Sequence, residues 1–168
     1  MTTLVIRPGR HSDIAPLDAL FARSYPRLLK ADYPPSVLVL VLPLISRAQP
    51  QLVTSGTYFV AEDADGTILG AGGWTRRRGR PRIGDIRHVV TDDRHTRKGV
   101  GRALFAEIFA TARATGIKLT DCKSTRTAVP FYQAMGFATL GPVEVDLRPG
   151  ISFPAIQMQC RLTVSPAP

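Results

Sequence analysis

The sequence predicts a single domain of the mixed α/β class. Its 168 residues suit one compact unit. Hydrophobic residues make up 44% of the chain and charged residues 21%, which excludes disordered, collagen-like and coiled-coil proteins. The class follows from the order of the patterned segments: antiparallel strands come first, and a strand, helix, strand unit lies in the middle.

The chain is predicted to begin with a strand and a helix. Thr3–Arg7 has β-branched, alternating residues and ends at Pro8, which favours a strand. Ser12 or Asp13 is placed to cap a helix, and apolar residues then recur at helical spacing as far as Tyr25.

The next segment is ambiguous between helix and strand. Ser36 is placed to cap a helix running to Arg47, yet Val37–Leu42 has strand propensity and Pro43 suits neither interior. We predict the helix. The apolar run Val37–Ile45 would rise about 14 Å as a helix, roughly half of a hydrocarbon core, so no membrane span is expected.

A three-stranded meander is predicted next. Thr57–Asp63 and Ile68–Thr75 are strand-like, and Ala64, Asp65 and Gly66 form the turn between them. The segment 76–82, RRRGRPR, is predicted as a basic connection because glycine and proline interrupt it. Extended character resumes over Ile83–Thr91.

The second half contains the clearest element, a helix over Gly101–Thr115 that ends at Gly116. The remaining predictions are a strand over Ile117–Lys123, a helix over Thr127–Met135, strands over Ala138–Val145 and Ser152–Leu162, and a loose tail over Val164–Pro168 after a domain of residues 1–163.

Cysteine usage and the N-terminus predict a reduced, cytoplasmic protein. Cys122 and Cys160 are too few for a disulfide framework and lack the spacing of a zinc site, so no metal is expected. Only three consecutive apolar residues precede Arg7, which excludes the apolar centre of a signal peptide.

The segment Arg97–Arg102, RKGVGR, is the most informative stretch because it lies between a predicted strand and the clearest helix. Glycines allow backbone N–H groups to approach a ligand, and a helix start with added cations favours a phosphate. The spacing fits neither a Walker A loop nor a dinucleotide fingerprint. A tight turn with solvated basic residues is the alternative.

Two ordered segments carry a resemblance to a known family. The run HTRKGVGRALF follows the strand IRHVVT, and the run TAVPFYQAMGF ends a helix in Gly-Phe. Both resemble segments of the GNAT (Gcn5-related N-acetyltransferase) superfamily. The resemblance implies a mixed, mostly antiparallel sheet of about six to seven strands, flanked by about four helices and splayed between strands 4 and 5. It also implies acetyl-CoA as the acetyl donor and a small-molecule or peptide amine as the acceptor.

The resemblance also implies the cofactor contacts. The pantetheine arm would meet His88, Val89 and Val90, and the pyrophosphate would meet Arg97, Lys98, Gly99, Val100, Gly101 and Arg102, with Thr125 and Phe131 as further contacts. Thr96 and Thr125 depart from the family pattern, which commonly has Gln or Arg at the first position and Asn at the second.

Tyr132 lies where the family places the donor that protonates the departing CoA sulfur, and simple packing is the alternative role. A backbone N–H near Val89 or Val90 would stabilise the developing oxyanion. The general base is open: Asp85 is the first candidate, Glu62 and Glu144 are others, and ion pairing is the alternative for each carboxylate.

The net charge of +9 is concentrated in residues 76–102, where nine Arg and one Lys face three Asp, which leaves +7. We interpret the polyanionic partner as coenzyme A rather than nucleic acid. The remaining group, Arg76–Arg82, would meet the 3′-phosphate of CoA, guide an acidic acceptor or form a solvated face. The leading hypothesis is a direct N-acetyltransferase, and the rival is an inactive acyl-CoA-binding module. An apolar surface over residues 37–45 would suit a homodimer.

Overall fold

The computed structural model describes residues 3–162, which form one sheet with helices on both faces. The strands are β1 Val5–Pro8, β2 Tyr58–Glu62, β3 Ile68–Arg77, β4 Arg80–Thr91, β5 Leu119–Ser124, β6 Ala138–Arg148 and β7 Ile151–Arg161. The helices are α1 Ile14–Leu29, α2 Pro35–Ile45, α3 Pro50–Val53, α4 Val100–Ala114 and α5 Val129–Ala134. The predicted tail, Val164–Pro168, lies outside the described residues.

Within residues 3–162 the sheet has seven strands, in the order β1-β2-β3-β4-β5-β7-β6. Neighbouring strands are antiparallel except for β4 and β5, which are parallel. This confirms the mixed, mostly antiparallel sheet, and the structure describes five α-helices where about four were expected.

Apolar residues pack on both faces of the sheet. On the α1–α2 face, Leu17, Phe21 and Val41 are fully buried. On the α4–α5 face, Leu104 and Ile108 are fully buried against the sheet. No helix within residues 3–162 is long and apolar enough to cross a membrane.

The first two helices differ in detail from the prediction. Segment 35–45 is a helix, as predicted, but Pro34 precedes it and Ser36 lies inside it rather than at its cap. At the start of α1, the Asp13 carboxylate accepts bonds from Arg7 (2.8 Å) and from Arg10 N (2.7 Å) and makes no cap bond to the helix, so it joins α1 to β1.

The basic segment 76–82 was wrongly predicted as a connection. Strand β3 continues to Arg77 and β4 begins at Arg80, so only Arg78 and Gly79 form the turn. Gly79 has φ +75°, which an L side chain adopts only with strain. The Arg76 guanidinium also donates to Thr115 O (2.9 Å) at the end of α4, which stabilises the extended backbone.

Strands β4 and β5 pair only over Ile83–Asp85 and Leu119–Asp121. Beyond Asp85 the strands separate, which confirms the predicted splay. The edge of β4 over residues 86–91 therefore has no strand partner on its β5 side. This gap positions the candidate site.

Candidate functional site

A cleft of about 660 Å³ opens where β4 and β5 separate. It extends from the start of α4 to α5 and the end of α1. Its lining consists of Tyr25, Leu28, Leu29, Val89, Val90, Thr91, Thr96, Arg97, Gly99, Val100, Gly101, Arg102, Thr125, Thr127, Ala128, Pro130, Phe131, Tyr132, Ala134 and Met135. Ten residues predicted as site residues are among them, whereas His88, Lys98 and Asp85 are not.

A bulge in β4 shapes one wall of the cleft. Ala71 pairs with Val90 and Gly73 pairs with Arg87, so two residues of β4 stand opposite Gly72 alone. A Cβ at Gly72 would lie 2.8 Å from Val89 Cγ2, so the absence of a side chain there makes room for the bulge.

The bulge turns the His88 imidazole toward the α1–α2 face. His88 has φ +48°, and its ring lies 4.2 Å from the ring of Phe21 between centroids. Burial lowers the pKa of His88 to about 4, so the ring is neutral at pH 7 and Nε2 donates to Ile45 O (2.9 Å). Any contact of His88 with a ligand in the cleft would therefore come from its backbone.

The loop before α4 presents backbone N–H groups and cations at the other end of the cleft. Arg97 and Gly99 both have positive φ, at 63° and 82°. Ala103 N donates to Gly99 O (3.0 Å), so the three preceding N–H groups of α4 have no acceptor within the helix. Arg97, Lys98 and Arg102 are exposed beside them. Such a helix start favours an anion.

The buried Asp92 side chain anchors the loop before α4. Its fully buried carboxylate accepts bonds from Arg94 N (2.9 Å) and from the guanidinium groups of Arg94 and Arg23. Burial alone would raise the pKa of Asp92, but these hydrogen bonds and positive charges lower it below its ordinary value. Because Arg23 belongs to α1, Asp92 holds the loop and that helix together.

Gly101 and Phe131 form the middle of the cleft. A Cβ at Gly101 would lie 2.8 Å from the Phe131 ring, so this ring can cover the first turn of α4 only because residue 101 is glycine. Thr125 Oγ1 accepts a bond from Ala128 N (3.2 Å) and thereby orders the turn that leads into α5. The structure thus brings the two motifs together on one cleft.

Tyr132 lies on the wall formed by α5. It is 6% exposed, and its ring meets that of Phe105 edge-on at 5.6 Å. Burial raises the pKa of Tyr132 well above its ordinary value, and the neighbouring Cys122 thiol contributes to the shift. Burial likewise raises the pKa of Cys122 to about 12. Both groups are therefore protonated at pH 7, so Tyr132 is a hydrogen-bond donor and Cys122 is a poor nucleophile.

The three candidate bases lie away from the cleft lining. Asp85 is bound to Arg77 at the closed end of the gap. Glu62 accepts a bond from Arg7 (3.1 Å), and Glu144 accepts one from Ser152 Oγ (3.1 Å). The described lining residues include no Asp, Glu or His.

Three residues of α1 line the cleft and were not predicted as site residues: Tyr25, Leu28 and Leu29. Their apolar, helical spacing indicates burial against the sheet, and nothing in the local sequence shows that part of this helix meets a cleft. The site therefore favours an anion at the α4 end and is apolar in its middle, and the Tyr132 hydroxyl is a hydrogen-bond donor on its wall.

Comparisons with known proteins agree with this fold. A family model described as an acetyltransferase (GNAT) domain matches residues 42–162. No curated protein matches the sequence significantly. Among solved structures, a GCN5-related N-acetyltransferase from Rhodopseudomonas palustris is 20% identical with a TM-score of 0.78 and covers 96% of this chain and 98% of its own.

Two further structures were solved with ligands. The PaiA N-acetyltransferase from Thermoplasma acidophilum, in complex with coenzyme A, is 16% identical with a TM-score of 0.73, covering 95% of this chain and 99% of its own. The protein yncA from Salmonella typhimurium, with its cofactor acetyl-CoA, is 17% identical with a TM-score of 0.67, covering 99% and 98%. At these identities the likeness shows the fold alone.

Proposed function

The chain belongs to the acetyltransferase (GNAT) domain family, and on that premise we propose that it transfers an acetyl group from acetyl-CoA to an amine. The main support for this proposal is the cleft, which connects the cationic start of α4 with the gap between β4 and β5 and with the Tyr132 phenol. A relative of the same fold holds coenzyme A, and another holds acetyl-CoA.

The residues around the cleft suit acetyl-CoA as the acetyl donor. The helix-start N–H groups and the cations Arg97, Lys98 and Arg102 suit a pyrophosphate. The room that Gly101 leaves beneath Phe131 suits close approach of a ligand to the backbone. The free edge of β4 at Val89 and Val90 suits the amide groups of a pantetheine arm, which would take the place of a strand partner.

Acetyl-CoA supplies an activated acetyl group and a thiol that leaves. On the protein side, a backbone N–H of Val89 or Val90 would donate to the carbonyl oxygen as it gains negative charge. Tyr132 would donate a hydrogen bond to the departing sulfur. Because its pKa is raised above that of a thiol, Tyr132 stabilises the thiolate chiefly as a donor and less by complete proton transfer.

The amine must lose a proton before or during the attack. Asp85 is our candidate to receive that proton, because it is the carboxylate of β4 at the closed end of the gap. Among the described residues that line the cleft there is no carboxylate, so the proton would reach Asp85 through water.

The proposal is tested by measuring acetyl-CoA binding by calorimetry and CoA release by a thiol assay with a panel of amines. We expect micromolar binding and amine-dependent release. In Gly101→Val the new side chain would collide with Phe131, so acetyl-CoA should bind at least about ten-fold more weakly. Ala106→Val is the matched control, since Ala106 is exposed on the same helix.

Each outcome decides between the candidate functions. Binding with amine-dependent release supports the enzyme. Binding without release for any amine supports the inactive acyl-CoA-binding module. No binding of acetyl-CoA, or equal weakening by both valine variants, would refute the assignment of the cleft to CoA.

A further inference from the structure

A row of polar side chains lies on the α1–α2 face at the closed end of the gap. Asp85 stands opposite Asp121 in the parallel pairing, so both carboxylates are on one face. Arg77 bonds to both, at 3.1 Å to Asp121 and through Nε to Asp85 at 3.2 Å. Asp121 also accepts bonds from Gln157 (3.0 Å) and Gln159 (2.9 Å). The protein itself therefore engages both carboxylates.

Two cations stand next along the same strands. Arg87 follows Asp85 by two residues, and Lys123 follows Asp121 by two residues, which places both about 6.6 Å further along and on the same face. The strands no longer pair at this level, so Arg87 and Lys123 belong to the two separating strands, and the Arg87 guanidinium is bonded on the β3 side of β4. Lys123 is exposed although β5 is an interior strand of the sheet.

Arg87 makes two hydrogen bonds within the protein, and neither of them is to an anion. Its half-buried guanidinium donates to Thr75 Oγ1 (3.1 Å) and to Gln49 Oε1 (3.2 Å), both uncharged oxygens. Within residues 3–162, no carboxylate lies within ion-pairing distance of Arg87 or Lys123. The Asp18 carboxylate of α1 does not pair with Arg87 either, because it accepts a hydrogen bond from Ala48 N (2.7 Å).

We propose that the acceptor is an amine that also carries a carboxylate, and that Arg87 binds this carboxylate with Lys123 adding positive charge. The inference rests on the proposed function, because the reacting amine must approach the acetyl group beside Val89 and Val90. A carboxylate on the same small molecule then reaches Arg87, which precedes them on β4. The planar guanidinium with two of its five N–H groups already fixed suits a carboxylate in geometry and charge.

The experiment compares matched pairs of acceptors: glycine with glycinamide, and β-alanine with β-alaninamide. Each pair differs in one negative charge at nearly constant size. With the intact chain and acetyl-CoA, we expect kcat/KM for at least one acid to exceed that of its amide by ten-fold or more. In Arg87→Gln this ratio should fall about 10- to 100-fold, mainly through the KM of the acid. Lys123→Gln should lower it less.

Arg78→Gln is the control, because it removes the same charge from the exposed turn of the β3–β4 hairpin. Its ratio should equal that of the unmodified chain, and urea unfolding of Arg87→Gln should show an intact fold. Equal use of acids and amides, or an unchanged ratio in Arg87→Gln, overturns this inference and leaves the proposed function standing. Failure of every amine to release CoA counts against the proposed function as well.

Discussion

Replacing Asp92 with asparagine would break the connection between the cationic loop and α1. One carboxylate oxygen accepts bonds from Arg23 (2.5 Å) and Arg94 (3.1 Å), and the other accepts from Arg94 N (2.9 Å). Asparagine retains one oxygen but puts an NH₂ group where the two guanidinium groups now donate. The Asp92→Asn variant would therefore set donors against donors in a fully buried position.

The size of the effect follows from the exposure of the partners. Hydrogen bonds to charged groups contribute about 1.5–3 kcal/mol each, but the side chains of Arg23 and Arg94 are 32% and 55% exposed, so water partly replaces the lost contacts. We expect Asp92→Asn to lower the free energy of unfolding by about 2–4 kcal/mol. For a domain of this size that corresponds to roughly 4–16 °C in Tm.

Urea unfolding and a thermal scan measure this loss, and Asp65→Asn in the exposed β2–β3 turn is the control. Acetyl-CoA titration gives a second readout, because the loop that Asp92 holds carries Arg97 and Gly99. We expect weaker binding as well as lower stability. If Asp92→Asn unfolded at the same urea concentration as the control, the buried carboxylate would not be the anchor that its contacts indicate.

Three further predictions concern single positions. Tyr132→Phe should lower kcat about 10- to 100-fold in the thiol-release assay while the Kd for acetyl-CoA stays constant, and an unchanged kcat would remove the phenol from the mechanism. The imidazole of His88, with a pKa of about 4 in the fold, takes up a proton on unfolding below pH 6.5, so the free energy of unfolding should fall by about 1–2 kcal/mol between pH 7 and 5. His88→Gln should flatten that slope, and a slope that persisted would contradict the assignment. Gly73→Ala should cost at least about 2 kcal/mol in urea unfolding, because its Cβ would lie 2.3 Å from Thr57 O, whereas Gly79→Ala, with nothing within 4 Å, should cost about 1 kcal/mol. Equal losses in the two alanine variants would refute this comparison.

The elements that the sequence predicted well are those set by local chemistry. Helix α4 has apolar residues such as Leu104 and Ile108 at helical spacing, and the glycines of the loop before it mark its start. The segment 76–82 was misassigned because its arginines, glycine and proline are typical of a connection. Strand pairing and the bond from Arg76 to Thr115 O come from distant parts of the chain, which local propensity does not contain.

Some residues of the candidate site could likewise be predicted from the local sequence, and others could not. Its contiguous loop, Arg97–Arg102, and the segment around Tyr132 could be recognised from their order along the chain. The bulge at His88 could not, because it depends on the pairing with Gly72, 16 positions earlier in the sequence. Leu28 was missed because one apolar spacing serves both for packing against a sheet and for lining a cleft.

The narrow joint between β4 and β5 has a mechanical consequence. Strands β1 to β4 form one part of the sheet, and strands β5 to β7 form the other. Among the described residues, three paired residues on each strand and the ion pairs of Arg77 connect β4 to β5. We therefore expect the sheet to bend most easily along the line between these halves. A ligand bound along the unpaired edge of β4 would add contacts across this line. We therefore expect the domain to be stiffer when its cleft is occupied.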